Sequence, residues 1–245
     1  VGSARLRFAR FFGSTGLTPL EMVAAVIVAA GQGKRFGPDT DKLFLEVAGL
    51  PVVAHTWKRF DRTAVIDEIV VVVRSGMELA FQDIAQGLGL LKPWRLVAGG
   101  RERQDSVWNG ISAVSAGVSV VAIQDGARPC TSPEVIEATV AAARETGAAV
   151  AAQRVTDTIK ESANGQTIDR TVDRSRLWSV QTPQTFRTEV IRQALDAVRS
   201  QGLQVTDDTA ACELIGQAVR LVESKAPNPK VTYPGDLPFI RSLLG

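Results

Sequence analysis

Two cysteines and a single histidine are all the soft or imidazole chemistry that a chain of 245 residues carries. Cys130 and Cys212 lie far apart and form no C-x-x-C unit. That argues against a disulfide framework or a cysteine zinc site and fits a reducing, cytoplasmic setting. His55 alone cannot supply an H-E-x-x-H metal motif, and any Ser-His-Asp triad would have to be built around it. It sits in the amphipathic stretch Val52–Phe60, where a structural role is expected. Net charge is equally scarce: +2 overall is too little to point to nucleic acid as a partner. No apolar run approaches the roughly 20 residues that a membrane span needs.

What is abundant is short apolar sequence. Hydrophobic residues make up 45% of the chain, enough for a substantial core in one large α/β domain. Val23–Ala30 is a continuous apolar run ending in glycines, as expected for a strand buried on both faces. Similar runs follow at Ile69–Val73, Val118–Ile123, Ala148–Ala152 and Ala218–Val222. Between them, Arg103–Ser115 carries Val107, Ile111 and Val114 on one helical face, and Pro133–Thr146 opens with proline at a favoured first-turn position. Thr188–Ser200 and Asp207–Ile215 also read as helices, the second with Thr206 as candidate N-cap. Alternation of this kind predicts a doubly wound, largely parallel sheet with helices on both faces.

Two stretches break the pattern. Val1–Leu20 carries Arg5, Arg7 and Arg10 among Phe8, Phe11 and Phe12 and is expected to be a disordered extension or a cloning remnant. Residues 21–245 then form the single domain. Within it, 153–178 is polar, with period-two segments Val155–Lys160 and Thr167–Val172 flanking Asn164-Gly165, a strong hairpin signal. So polar a hairpin cannot enter a core, so a projecting arm that packs on a second subunit is expected.

The chemistry-bearing residues gather at strand ends. The first run leads into Ala29-Ala30-Gly31-Gln32-Gly33-Lys34-Arg35-Phe36-Gly37, where glycine lets backbone N–H groups approach phosphate closely. Its G-x-G-x-x-x-G spacing misses the dinucleotide fingerprint by one residue, and no Walker A loop is formed. Arg35 and Lys42 add two cations beside this loop, suited to the charge that builds when an α-phosphate is attacked. Asp125 ends the run Val118–Ile123, where a carboxylate can hold Mg²⁺ or accept substrate hydroxyls. Arg128 follows, restricted by Pro129. Gly99-Gly100 precedes the helix containing Ser106 and could read a base edge or sit against phosphate. Lys230 lies in a stiff Pro227-Asn228-Pro229 connection that could reach the same edge.

Taken in order, AAGQGKRFG, DKLFL, GGRERQDSVWNG, QDGARP, VTDTIK, TVDRSRLWSVQTPQTF, TDDTA and NPKVT resemble the 2-C-methyl-D-erythritol 4-phosphate cytidylyltransferase family. The resemblance runs from about Val23 to Leu244 and is most specific in TVDRSRLW followed by QTPQTF. It implies a Rossmann-like nucleotidyltransferase fold and transfer of CMP from CTP to a sugar-alcohol phosphate, with Mg²⁺ or another divalent cation. It further implies that Arg35 and Lys42 stabilise the pentacoordinate phosphate. Ala29, Ala30, Gly31, Gly33, Gly99, Gly100 and Ser106 would surround CTP. Asp125, Arg128, Thr158 and Thr182 would contact the alcohol phosphate or triphosphate, while Arg174 and Lys230 would position the attacking phosphate. Arg174 would come from the neighbouring subunit of a homodimer on an exchanged arm. Gln124 departs from a common histidine and Gly126 from a common alanine, neither of them bearing the proposed charge chemistry.

Three rivals stay open at this stage. A ribitol 5-phosphate cytidylyltransferase would share the fold and loop. A dinucleotide-dependent oxidoreductase could use Arg74, after the second strand, as a 2′-phosphate contact. A non-catalytic nucleotide sensor would be expected to lose the loop cations, which are present here.

Overall fold

The computed structural model describes residues 21–31, 33, 36, 37 and 41–245. Two of the expectations, the N-terminal extension Val1–Leu20 and the role of Arg35, lie outside the described residues. The strands are β1 (Met22–Ala29), β2 (Glu46–Val47), β3 (Leu50–Pro51), β4 (Glu68–Val73), β5 (Trp94–Ala98), β6 (Val118–Asp125), β7 (Ala148–Arg154), β8 (Lys160–Glu161), β9 (Arg170–Thr171), β10 (Trp178–Arg187) and β11 (Arg220–Glu223). The helices are α1 (Val52–Arg62), α2 (Glu78–Leu88), α3 (Arg103–Ser112), α4 (Pro133–Thr146), α5 (Thr188–Ser200), α6 (Asp208–Leu214) and α7 (Leu237–Leu244).

Seven strands make one sheet in the order β11-β7-β10-β6-β1-β4-β5. Pairing is parallel between β1 and β4, β1 and β6, β4 and β5, and β11 and β7. β10 runs antiparallel to both of its neighbours, β6 and β7. The continuous apolar character of β1 follows from burial on both faces. Val23, Ala25, Ile27 and Ala29 join a core with Trp57, Phe60, Phe81, Ile136 and Ile240, which come from α1, α2, α4 and α7. Ala24 and Val26 join the opposite core with Val107, Ile111, Ile191 and Leu195, from α3 and α5. Burying each such Ile, Val or Phe contributes about 1.5–3 kcal/mol, which is what holds the layers together.

Each of the expected apolar runs forms a strand of this sheet, and the expected helices are present. Three features differ from expectation. β10 was hidden because it is polar: Gln181, Thr182, Gln184 and Thr185 are buried in it. They are tolerated because they are bonded: Gln184 Nε2 donates to Asp207 Oδ2 at 2.9 Å, Gln181 Nε2 to Gln153 Oε1 at 2.9 Å, and Thr185 bonds Thr139 at 3.0 Å. β5 was hidden because it is an edge strand whose residues are partly exposed, so no apolar run marks it. The N-cap of α6 is Asp207, not Thr206: its carboxylate accepts from Ala210 N at 2.9 Å.

The hairpin exists but its ladder is short. β8 and β9 pair over two residues each, Lys160 with Thr171 and Glu161 with Arg170. The turn is closed by Asn164, whose Oδ1 accepts from Gln166 N at 2.8 Å and Thr167 N at 2.9 Å, with Gly165 at φ +69°. Between residues 156 and 176 all but Ile159 and Val172 are exposed, so the arm has no core of its own. Among the described residues no helix is long and apolar enough to cross a membrane.

The chain leaves β1 toward β4 and β5 on one side, then returns to place β6 on the other. The crevice outside the carboxyl ends of β1 and β6 is therefore the switch point where ligands bind in sheets of this kind.

Candidate active site

A cleft of about 640 Å³ opens at that switch point. Ala29, Ala30 and Gly31 from the end of β1 line it, with Lys42, Gly99, Gly100, Ser106, Asp125 and Lys230. Gly33 and Gly37 adopt φ of +61° and +91°, which L side chains rarely take, and Phe36 N closes a turn on Gly33 O at 2.9 Å. A Cβ on Gly33 would stand 3.4 Å from Lys42 Cγ, so the lysine stem lies across that glycine. Lys42 Nζ donates to Val231 O at 2.6 Å, tying the loop after β1 to the connection that carries Lys230.

On the opposite wall, Gly99 and Gly100 are glycines for want of space. A Cβ on Gly99 would meet Ala30 Cβ at 2.4 Å, and one on Gly100 would meet Asp105 Cβ at 2.2 Å. A capping box between Glu102 and Asp105 starts α3 immediately afterwards. The amides of both glycines are spent within the protein: Gly99 N donates to Val73 O at 2.8 Å and Gly100 N to Ser106 Oγ at 3.0 Å. Of the two readings open to this loop, a base edge or a phosphate, these two amides therefore favour the first. What it can offer a ligand is carbonyl oxygen, which suits an amino donor such as the exocyclic amine of cytosine.

Asp125 is the electrostatic centre. Its Oδ2 accepts from Lys230 Nζ at 2.7 Å, with Arg128 Nε at 3.8 Å, while Arg103 Nε stands 3.7 Å from Oδ1. Burial works against its ionisation, but Lys230, Arg103 and Arg128 outweigh that and hold the carboxyl below the usual carboxylate range. Arg103 in turn donates to the buried Asp208 Oδ2 at 2.8 Å. Burial raises the Asp208 carboxyl, with Arg103 acting against the rise. For Arg103 burial acts downward, yet Asp208 and Asp125 prevail and raise its pKa. Along the cleft lining, Lys42, Arg74, Arg101, Arg103 and Lys230 outnumber Glu102 and Asp125, an environment that attracts a polyanion.

Most of the expected site residues meet here. Gly33, Arg128 and Thr182 stand just behind the lining: Thr182 Oγ1 accepts from Asp125 N at 3.1 Å, and Arg128 Nη1 donates to Asn228 O at 2.6 Å. Thr158 and Arg174 do not line the cleft; both are exposed on the arm, where Arg174 bonds Thr156 O. Sequence reasoning missed Arg101 and Arg103, which line the cleft from the start of α3. Nothing in sequence separates such arginines from solvated ones. Arg74 also lines the cleft, but its guanidinium pairs with Asp41 Oδ2 at 2.9 Å, so the 2′-phosphate role considered for it loses support. Gly126, read as a neutral departure, is a close-approach position: its N–H donates to Val28 O at 2.9 Å and a Cβ would stand 3.2 Å from that oxygen.

The family described as 2-C-methyl-D-erythritol 4-phosphate cytidylyltransferase matches residues 23–245. A protein of that name from Pelotomaculum thermopropionicum is 40% identical over 226 residues, covering 92% of this chain and 95% of the relative. Another from Geobacillus kaustophilus is 41% identical over 220 residues, covering 90% and 96%. Among solved structures, the 4-diphosphocytidyl-2C-methyl-D-erythritol synthase of Anaerococcus prevotii superposes with a TM-score of 0.82 at 29% identity, covering 92% of this chain and 96% of that one. The Thermus thermophilus cytidylyltransferase does so at 0.76 and 32% identity, covering 91% and 98%. With its fold, its cationic cleft and its sequence all in agreement, the chain belongs to the 2-C-methyl-D-erythritol 4-phosphate cytidylyltransferase family of nucleotidyltransferases.

Proposed function

We propose that the chain transfers CMP from CTP to 2-C-methyl-D-erythritol 4-phosphate, releasing pyrophosphate, in the non-mevalonate isoprenoid precursor pathway. The observation that carries the mechanism is the convergence of Lys230, Arg103 and Arg128 around Asp125, in a cleft that Lys42 also lines, at the ends of β1 and β6. A phosphate oxygen of the alcohol phosphate attacks the α-phosphorus of CTP, and the bond to the β-phosphate oxygen breaks in line. The attacking phosphate is already anionic near neutral pH, so no activated Ser, Cys or His nucleophile is needed. Catalysis then rests on positioning and on offsetting negative charge. Lys42 and Arg35 act at the triphosphate and Lys230 at the attacking phosphate, with Arg128 behind it adding positive charge, and the Gly99-Gly100 loop takes the base.

A divalent cation fits this site as one that arrives with the nucleotide. Among the described residues no group of three His, Cys, Asp or Glu side chains could hold a metal. Asp125 supplies one carboxylate, and Mg²⁺ commonly completes its shell with water and substrate phosphate oxygens. Such an ion supplies charge neutralisation on the triphosphate. Asp125 Oδ1 is the less committed oxygen for it, since Oδ2 is taken by Lys230.

Thr158 and Arg174 enter the proposal through a homodimer in which the exposed arm of one subunit reaches the cleft of the other. Free, buried Cys130 and Cys212 are consistent with a reducing, cytoplasmic location. The substrate is tested by measuring pyrophosphate release with CTP and either methylerythritol phosphate or ribitol 5-phosphate; a preference for ribitol phosphate refutes the assignment. Exchange of the arm is tested by mixing Lys42→Ala and Arg174→Ala chains. Activity should return in the mixed dimer, because one of its two sites combines an intact lysine with an intact arm. Failure of the mixture to exceed either variant alone refutes the shared site.

A further inference from the structure

We infer that Asn228 is a positioning residue that holds Lys230 at the cleft, acting through a buried hydrogen-bond chain that runs from Gln124 through Thr131 and Asn228 to Thr182. The inference deepens the proposed function and rests on Lys230 acting at the attacking phosphate.

Lys230 sits in Pro227-Asn228-Pro229-Lys230-Val231, which belongs to no strand or helix. Two prolines remove two backbone donors, so no regular ladder can hold this connection. Asn228 is 2% exposed and shares that task through its side chain with the single backbone bond from Val231 N to Ala127 O at 2.8 Å. Its Nδ2 donates to Thr182 O at 2.8 Å, its Oδ1 accepts from Thr131 Oγ1 at 3.0 Å, and its backbone oxygen accepts from Arg128 Nη1 at 2.6 Å. Gln124 Nε2 donates to Thr131 Oγ1 at 2.9 Å, leaving the threonine proton to be shared between Asn228 Oδ1 and Arg128 O. Gln124 and Thr131 are fully buried, so solvent cannot substitute for these bonds.

The chain has a geometric consequence for the cleft. Thr182 receives Asn228 on its carbonyl and the backbone N–H of Asp125 on its hydroxyl. The Lys230 connection and the strand end bearing Asp125 are thereby referenced to one residue, and the 2.7 Å bond between Lys230 and Asp125 spans two groups fixed to the same point. An amide is the side chain this position requires. It gives a donor toward a carbonyl and an acceptor toward a hydroxyl on one short stem, whereas aspartate lacks the donor and alanine both. Gln124 is the first donor of the chain and so acquires a role that its sequence position does not suggest.

The test is a double-mutant cycle on the full-length enzyme, using pyrophosphate release from CTP and methylerythritol phosphate, with thermal melts of each variant. Asn228→Ala should lower kcat on the order of a hundredfold, as expected for misplacement of a positioned group, while the KM for CTP changes little. In a Lys230→Ala background, whose residual rate is the reference, the same change should cost no more than about threefold if most of its effect passes through Lys230. Asn228→Asp should resemble Asn228→Ala, because the lost donor is what matters. If Asn228→Ala does not fold, Thr131→Val removes the hydroxyl that bonds Asn228 Oδ1 and is read in the same way. A folded variant with near-native kcat, or equal losses with and without Lys230, overturns the inference. A near-native Lys230→Ala enzyme is a different result: it removes the role given to Lys230 and, with it, that of Asn228.

Discussion

Gly99→Ala is the sharpest perturbation of the cleft, because it adds one methyl where two walls touch. The new Cβ would fall 2.4 Å from Ala30 Cβ and 3.0 Å from Ser106 Oγ. Non-bonded carbons rest about 3.5–4.0 Å apart, so residues 30 and 99 must separate by more than about 1 Å. Neither partner has a flexible side chain to move aside; the backbone loops themselves must part. Overpacking of this kind costs about 1–3 kcal/mol, and each kcal/mol lowers Tm by about 2–4 °C in a chain of this size. Ala30 and Gly99 touch where both line the cleft proposed to hold CTP, so a displacement near 1 Å should lower kcat/KM by about a hundredfold. The loss should fall mainly on CTP and leave the KM for the alcohol phosphate closer to native. Steady-state pyrophosphate release with each substrate varied, alongside a thermal melt, reads both quantities. A Gly99→Ala enzyme with native Tm and native kcat/KM for CTP refutes the claim that these loops are held in contact.

Three further outcomes follow from individual groups. The lowered pKa of Asp125 means that its ionised form stabilises the fold above the ordinary carboxylate range, and this is lost as pH falls through the lowered folded value. The Tm deficit of Asp125→Asn should accordingly be large at neutral pH and shrink in strong acid; a deficit constant across pH contradicts the ion cluster. Burial pushes the thiols of Cys130 and Cys212 up to about 11 and about 12, so neither should react with an aromatic disulfide reagent at mildly alkaline pH until the protein is unfolded. Rapid native-state labelling would show that their burial is wrong. Thr182→Val keeps the shape but removes the oxygen that accepts from Asp125 N, which should cost about 1–3 kcal/mol and reduce turnover. An unchanged Tm and rate would mean that this bond does not hold the strand end.

The sheet's parallel strands were legible because burial on both faces forces continuous apolar runs, and β1 and β4 are buried along nearly their whole length. α4 was legible to the residue because Ser132 caps it, Pro133 opens it and Gly147 follows it. β10 was not, since its buried residues are polar and their partners, Asp207, Gln153 and Thr139, lie 23 to 46 positions away. Arg103 and Asn228 were missed for the same reason. An arginine at a helix start and an asparagine between prolines look solvated until Asp208, Thr131 and Thr182 are brought around them.

Sequence alone determined the layered α/β architecture, the glycine loops at the strand ends and the family, because periodicity, turn chemistry and motif order are local properties. Tertiary structure decided which charges meet. Asp125 acquires Lys230 from 105 residues away, Lys42 reaches Val231 across 189, and the amides of Gly99 and Gly100 turn out to be spent on Val73 and Ser106. Each of these depends on where the sheet order places distant loops, and electrostatic and hydrogen-bond energies depend on distances between groups that the linear chain does not encode locally.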